Sequence, residues 1–83
     1  MHVVLYTRHG CHLCADAWRV LEAERAAFPL SLQAVDIDAD PHLVALYGES
    51  VPVVTVNGQV RFRGQVNPVL LRRLLQALER SEE

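Results

Sequence analysis

Short apolar runs alternate with amphipathic stretches along the first half of this 83-residue chain. The run VVLYT (Val3–Thr7) is typical of a strand that is buried on both faces. Helical spacing of apolar positions then predicts a helix over approximately Cys11–Ala27. It ends at Phe28-Pro29, because the residue before a proline avoids the α region. Alternation in LSLQAVDID (Leu30–Asp38) predicts a second strand, so this half forms a β-α-β unit with parallel strands.

The second half of the chain carries cap and turn signals. Asp40 followed by Pro41 is a typical helix start, and Gly48 is placed to end that short helix. Two β-rich runs then flank Asn57-Gly58, the pair that type I′ hairpin turns prefer. This pattern predicts a hairpin of two antiparallel strands.

A last helix is predicted to open at Asn67-Pro68. Its broad apolar stripe is formed by Val69, Leu70, Leu71, Leu74, Leu75 and Leu78. The order of elements is therefore β-α-β-α-β-β-α, which defines an α/β fold. A four-stranded mixed sheet flanked by helices is the simplest way to bury these apolar faces, with residues 1–83 as a single domain.

Composition and charge narrow the class of protein. Hydrophobic residues make up 51% of the chain and charged residues 22%, which argues against disorder. The net charge of −2 gives no indication of a nucleic-acid or membrane partner. The N-terminal apolar run is too short for a signal peptide or a membrane span. We therefore expect a cytoplasmic monomer.

Both cysteines of the chain lie in RHGCHLC, where the first predicted strand ends and the first helix begins. Cys11 falls at or just before the first helical turn, where unpaired backbone N–H groups and the helix dipole stabilise a thiolate and lower the pKa of the thiol. Cys14 lies one turn further on, on the face of Trp18, and is expected to be more buried. This asymmetry suits thiol–disulfide exchange, in which Cys11 attacks a substrate disulfide and Cys14 resolves the mixed disulfide.

Two other classes of function are open: metal binding through the same residues, and a non-catalytic binding module in which the cysteines are incidental. His9, Cys11, His12 and Cys14 are all capable zinc ligands, but four ligands so close in sequence close poorly into a tetrahedron, so we expect no metal site within one chain. An iron–sulfur cluster shared between two chains is one alternative, and a non-catalytic binding module is another. His12 is expected to be exposed, and a partly protonated imidazole there favours the thiolate.

Four segments, LYTRHGCHLC, VDID, SVPVV and FRG, carry a resemblance to the glutaredoxin-like members of the thioredoxin-fold superfamily. The likeness covers nearly the whole chain. It implies a thioredoxin-like fold of the glutaredoxin type and a thiol–disulfide oxidoreductase, with Cys11 as the nucleophile and Cys14 as the resolving cysteine. It also implies that Pro52 has a cis peptide bond and faces the cysteines, and that Arg8 helps to bind an acidic substrate.

The expected substrates are protein disulfides. The expected substrate-binding residues are Arg8, His12, Val51, Pro52 and Gly64. Among them, Val51 is placed to offer its backbone to an extended substrate.

The sequence departs from the family pattern at two points. His12 and Leu13 stand between the cysteines, where glutathione-dependent glutaredoxins usually have proline and tyrosine. Gln65, Val66 and Asn67 replace the second glycine and the acid that help those proteins to hold glutathione. No bound cofactor is expected, and the electron donor is either glutathione or a flavoenzyme of the thioredoxin-reductase type.

Overall fold

The computed structural model describes residues 1–81 and has the predicted order of elements. These elements are β1 (His2–Thr7), α1 (His12–Glu24), β2 (Ser31–Asp36), a 3₁₀ turn (Ile37–Ala39), α2 (Pro41–Tyr47), β3 (Val53–Val56), β4 (Gln59–Arg63) and α3 (Pro68–Ser81). Within this range, none of the helices combines the length and the apolar character that crossing a membrane requires.

The four strands form one mixed sheet in the order β2-β1-β3-β4. β1 pairs in parallel with β2, so that Leu5 lies beside Ala34. On its other side β1 is antiparallel to β3, with Tyr6 opposite Val53, and β3 is antiparallel to β4. The mixed four-stranded sheet of the predicted fold class is confirmed. The ends of β1 and β4 and the start of β3 therefore lie at the same end of the sheet.

The predicted caps and the hairpin turn are confirmed. The Asp40 side chain accepts the backbone N–H of His42 at 2.9 Å and caps α2. The Asn67 side chain accepts the N–H of Val69 at 2.9 Å and caps α3. Asn57 and Gly58 have φ values of +52° and +83°, the positive pair that a type I′ turn requires.

The main core lies between one face of the sheet and helices α1 and α3. Its buried members are Val3, Leu5, Ala17, Leu21, Phe28, Val54, Val56, Val66, Leu71 and Leu75. At its edge, the Arg72 guanidinium donates to both oxygens of the Glu24 carboxylate, at 2.7 and 3.0 Å. These hydrogen bonds, and then the negative charge of Glu24, raise the pKa of Arg72. The pair ties the end of α1 to α3.

Two elements end earlier than predicted. α1 ends at Glu24 rather than near Ala27, because the Glu24 carbonyl accepts the N–H groups of both Ala27 and Phe28 in a tight turn before Pro29. β2 ends at Asp36 rather than Asp38, because the Asp36 side chain accepts the Asp38 N–H at 2.9 Å and starts the 3₁₀ turn.

The predicted apolar stripe of α3 is broader than the buried face. Leu71 and Leu75 are fully buried, one helical turn apart, while Val69 and Leu70 are 59% and 53% exposed. Leu74 and Leu78 are partly buried and also pack against the core, so the stripe differs from the prediction only at the first turn of the helix. Trp18, on the same face of α1 as Cys14, is partly buried and packs against the core.

Candidate active site

Cys11 and Cys14 are positioned by the start of α1. Cys11 is the N-cap residue with an extended backbone, and its Sγ accepts the backbone N–H of Cys14 at 3.1 Å. The two sulfurs are joined as a disulfide, with Cα atoms 5.2 Å apart. The sulfur of Cys11 thus takes the place of the oxygen that usually caps a helix, and it lies where helix N–H groups favour negative charge.

The two cysteines differ in their access to solvent. Cys14 is 3% exposed, whereas Cys11 is only half-buried. The prediction that Cys14 is the more buried of the two is therefore confirmed. Cys11 is therefore the more accessible of the two cysteines to a large substrate.

Pro52 and Gly64 lie at the same end of the sheet as the start of α1. Tyr6 pairs with Val53, so Pro52 is placed beside the end of β1, from which the chain continues to Cys11. The Val51–Pro52 peptide bond is cis, as the family resemblance implies.

Gly64 follows β4 and closes the turn around Pro52. Its N–H donates to the carbonyl of Pro52 at 2.8 Å and to that of Ser50 at 2.9 Å, with a φ of +78° that favours glycine. Val51 lies between these carbonyls and is half-buried. The hydrogen bonds of Gly64 thus fix the backbone on both sides of Val51.

Arg8 is held by two partners, and the sequence predicts neither contact. Its guanidinium donates to the Asp38 carboxylate at 2.7 and 3.2 Å and to the Gly48 carbonyl at 3.0 Å. The hydrogen bonding with Asp38, and then the charge of Asp38, raise the pKa of Arg8, while the hydrogen bond from Arg8 lowers the pKa of Asp38. Nothing in the local sequence signals these contacts, since they join residues 30 and 40 positions apart.

An open pocket of about 630 Å³ adjoins the dithiol. It brings together the predicted residues Arg8, Cys11, His12 and Cys14. His9 and His12 are exposed at its rim. Val51, Pro52 and Gly64 do not line it. The predicted site residues thus fall into two groups, one in the pocket and one on the Pro52 side.

No group of three or more histidine, cysteine or acidic side chains in residues 1–81 is arranged to hold a metal ion. The zinc ligand set considered from the sequence, His9, Cys11, His12 and Cys14, does not form one in this geometry. The arrangement presents a disulfide at a helix start, with a cationic side chain and a cis-proline segment nearby.

The fold and the dithiol define a redox protein of the thioredoxin-fold class. Residues 2–76 match the family model described as glutaredoxin-like domain (DUF836), and the chain belongs to that family. No curated protein matches the sequence.

Solved structures agree with this assignment. A structural genomics target protein, XcR50 from X. campestris, is 33% identical with a TM-score of 0.75, over 90% of this chain and 96% of that one. Protein Ne2328 from Nitrosomonas europaea is 29% identical with a TM-score of 0.77, over 89% of both chains. The glutaredoxin-like protein NrdH-redoxin from Escherichia coli shares the fold at 23% identity, with a TM-score of 0.66 over 89% of this chain and 95% of that one.

Proposed function

We propose that this protein is a dithiol thiol–disulfide oxidoreductase in which Cys11 is the nucleophile and Cys14 the resolving cysteine. The observation that carries the proposal is the Cys11–Cys14 disulfide at the first turn of α1. A helix start stabilises a thiolate, and the family match places this pair within a glutaredoxin-like domain.

The reaction proceeds in two exchanges. The Cys11 thiolate attacks one sulfur of the substrate disulfide, the S–S bond breaks, and the departing thiolate takes up a proton. The Cys14 thiolate, having released its proton, then attacks the Cys11 sulfur of the mixed disulfide, and the second substrate thiol leaves. The substrate has gained two electrons and two protons, and the dithiol has lost them in forming the Cys11–Cys14 disulfide.

The geometry supports different roles for the two sulfurs. The hydrogen bond from the Cys14 N–H to Cys11 Sγ favours the thiolate at Cys11, the better exposed sulfur. Cys14 is shielded from large substrates but remains close enough to Cys11 to bond with it. This difference supports attack through Cys11 and resolution through Cys14.

The Pro52 side of the dithiol supplies the binding site for an extended polypeptide. Val51 offers its backbone to the substrate, since Pro52 lacks an N–H and Gly64 fixes the carbonyls on either side. Arg8 uses three of its five N–H groups on partners within residues 1–81, which leaves donors for a substrate carboxylate. His12, exposed between the cysteines, contacts the substrate at the reacting sulfur.

The substrates we propose are protein disulfides in the cytoplasm, reduced by a monomer without a resident cofactor. The electrons come from glutathione or from a flavoenzyme of the thioredoxin-reductase type. NrdH-redoxin, a glutaredoxin-like protein of the same fold, has a thioredoxin-like activity profile, so both donors belong in the test.

A turnover assay tests this proposal. Oxidised protein is mixed with a disulfide substrate and NADPH, with either glutathione and its reductase or a thioredoxin reductase. We expect NADPH consumption with one of the two systems, and none for Cys11→Ser. No turnover with either donor, together with an inability of the wild type to reduce the substrate stoichiometrically from its dithiol form, would contradict the proposal.

A further inference from the structure

The pocket of about 630 Å³ opens on the side of the dithiol away from the Val51–Pro52 segment. Its apolar lining includes Leu5, Ala34 and Trp18, and both cysteines border it. Its volume falls within the range of roughly 300–1,000 Å³ that is usual for binding pockets. A space of this size beside the reacting sulfurs is able to receive a side chain of a bound substrate.

A small residue on the edge strand creates this space. In the β1–β2 register, Ala34 lies next to Leu5, a core residue, so Ala34 faces the side of the sheet that α1 covers. It is nevertheless exposed, because its methyl group leaves a gap before α1. Ala15 and Trp18 of α1 line the same gap. A larger side chain at position 34 would therefore reduce the space in this pocket.

In the part of the chain that the structure describes, the charged side chains that line the pocket are two arginines, Arg8 and Arg19. Its ionisable lining residues, apart from the cysteines, are Arg8, His9, His12 and Arg19, and among residues 1–81 no carboxylate lines it. Arg8 is oriented by Asp38, and Arg19 by an ion pair with Asp16 on the same helix. The rim therefore presents guanidinium N–H groups, beyond those used in these pairs, to an incoming acid.

We propose that this pocket is a specificity subsite that binds a large apolar side chain next to the substrate's reacting cysteine, with a neighbouring carboxylate at the rim. The substrates are thus polypeptide disulfides flanked by an apolar and an acidic residue. Ala34 determines the size of the side chain accepted, and Arg19 contributes to the choice of charge. The inference rests on the proposed function and specifies its substrate class.

This subsite is tested with short peptides that contain a single cysteine. The cysteine of each peptide is joined by a disulfide bond to a chromogenic thiol of low pKa. Such a thiol is a good leaving group, so Cys11 attacks the cysteine sulfur of the peptide and releases the chromogenic thiol. The residues flanking the cysteine are Glu and Phe, Glu and Ala, Lys and Phe, or Lys and Ala, in both orders. For the wild type we expect kcat/KM to be about tenfold higher with Phe than with Ala, and several-fold higher with Glu than with Lys.

Matched variants separate the pocket from the rest of the surface. Ala34→Leu is expected to remove the preference for Phe, while Gln33→Leu, exposed on the opposite face of the same strand, keeps it. Arg19→Glu is expected to remove the preference for Glu. Arg25→Glu is its control, because Arg25 forms a similar pair with Glu22 at the far end of α1.

Binding is measured independently of turnover through Trp18, the one tryptophan of the chain. Peptides with serine in place of cysteine are titrated against the oxidised protein. We expect the Glu–Phe peptide to change the Trp18 fluorescence of the wild type and of Gln33→Leu, and not that of Ala34→Leu.

Three results would overturn the subsite: no Phe preference in the wild type, its persistence in Ala34→Leu, or its equal loss in Gln33→Leu. If Ala34→Leu fails to fold, the preference for Glu tests the subsite instead. Its loss in Arg19→Glu but not in Arg25→Glu supports the subsite, and its persistence in Arg19→Glu or equal loss in both variants contradicts it. Failure to reduce any peptide would instead contradict the proposed redox function, and the Trp18 titration would still decide whether the pocket binds.

Discussion

Cys11 occupies a position in which a backbone hydrogen bond affects the pKa of its thiol. Its sulfur accepts the Cys14 N–H at 3.1 Å at the start of a 13-residue helix. In the reduced protein we expect the pKa of the Cys11 thiol to lie below the ordinary thiol value of about 8.5, because this N–H and the helix dipole stabilise the thiolate. The rate of alkylation as a function of pH, measured with Cys14→Ser to isolate Cys11, gives the midpoint. A midpoint at or above the ordinary value would remove the helix-start argument.

At Asp38, the contact with Arg8 predicts a pH dependence of stability. Arg8 lowers the pKa of Asp38 in the folded protein, so the contact stabilises the fold above the unfolded pKa of about 3.9 and is lost as the pH falls through the folded value. Asp38→Asn is therefore expected to be less stable than the wild type at pH 7, with a difference that shrinks as the pH falls below about 4. Urea denaturation at several pH values checks this. A difference that stays constant with pH would exclude the ionised contact as its cause.

Among the helices, α1 is held to the sheet by a fully buried leucine. Leu21 has 0% exposure in the core, while Leu46 of α2 is 65% exposed. Leu21→Ala is expected to lower the free energy of unfolding by about 2–5 kcal/mol, because it leaves a cavity, whereas Leu46→Ala changes it by less than about 0.5 kcal/mol. Thermal denaturation of both variants gives the comparison. Equal effects would mean that α1 does not pack as described.

Element types and their order were predictable from local signals, and element ends less so. The cap at Asp40 and the turn at Asn57-Gly58 act within a few residues, so the sequence alone reveals them. The end of β2 depends on the Asp36 side chain accepting an N–H two residues on, a choice that competes with further strand pairing. The spacing of apolar residues does not predict the outcome of that competition, and so does not predict where β2 ends.

Across the whole molecule, the parts of the site that sequence reasoning missed are those that the sheet register creates. The dithiol is local and was predicted from its spacing and position. The contact of Arg8 with Asp38, and the gap that Ala34 leaves beside Leu5, depend on how β1 and β2 pair. No local pattern specifies that register, so neither the Asp38 contact nor the pocket was apparent from the sequence.

The division of labour between the two sulfurs is the central claim, and trapping of the reaction intermediate tests it most directly. Cys11→Ser and Cys14→Ser are each incubated with an oxidised protein substrate, alkylated, and analysed on a non-reducing gel and by mass spectrometry. We predict that Cys14→Ser accumulates a covalent complex with the substrate through Cys11, because the resolving thiol is gone, and that a reductant releases it. Cys11→Ser forms no complex. Trapping by Cys11→Ser instead, or equal trapping by both variants, would contradict the account.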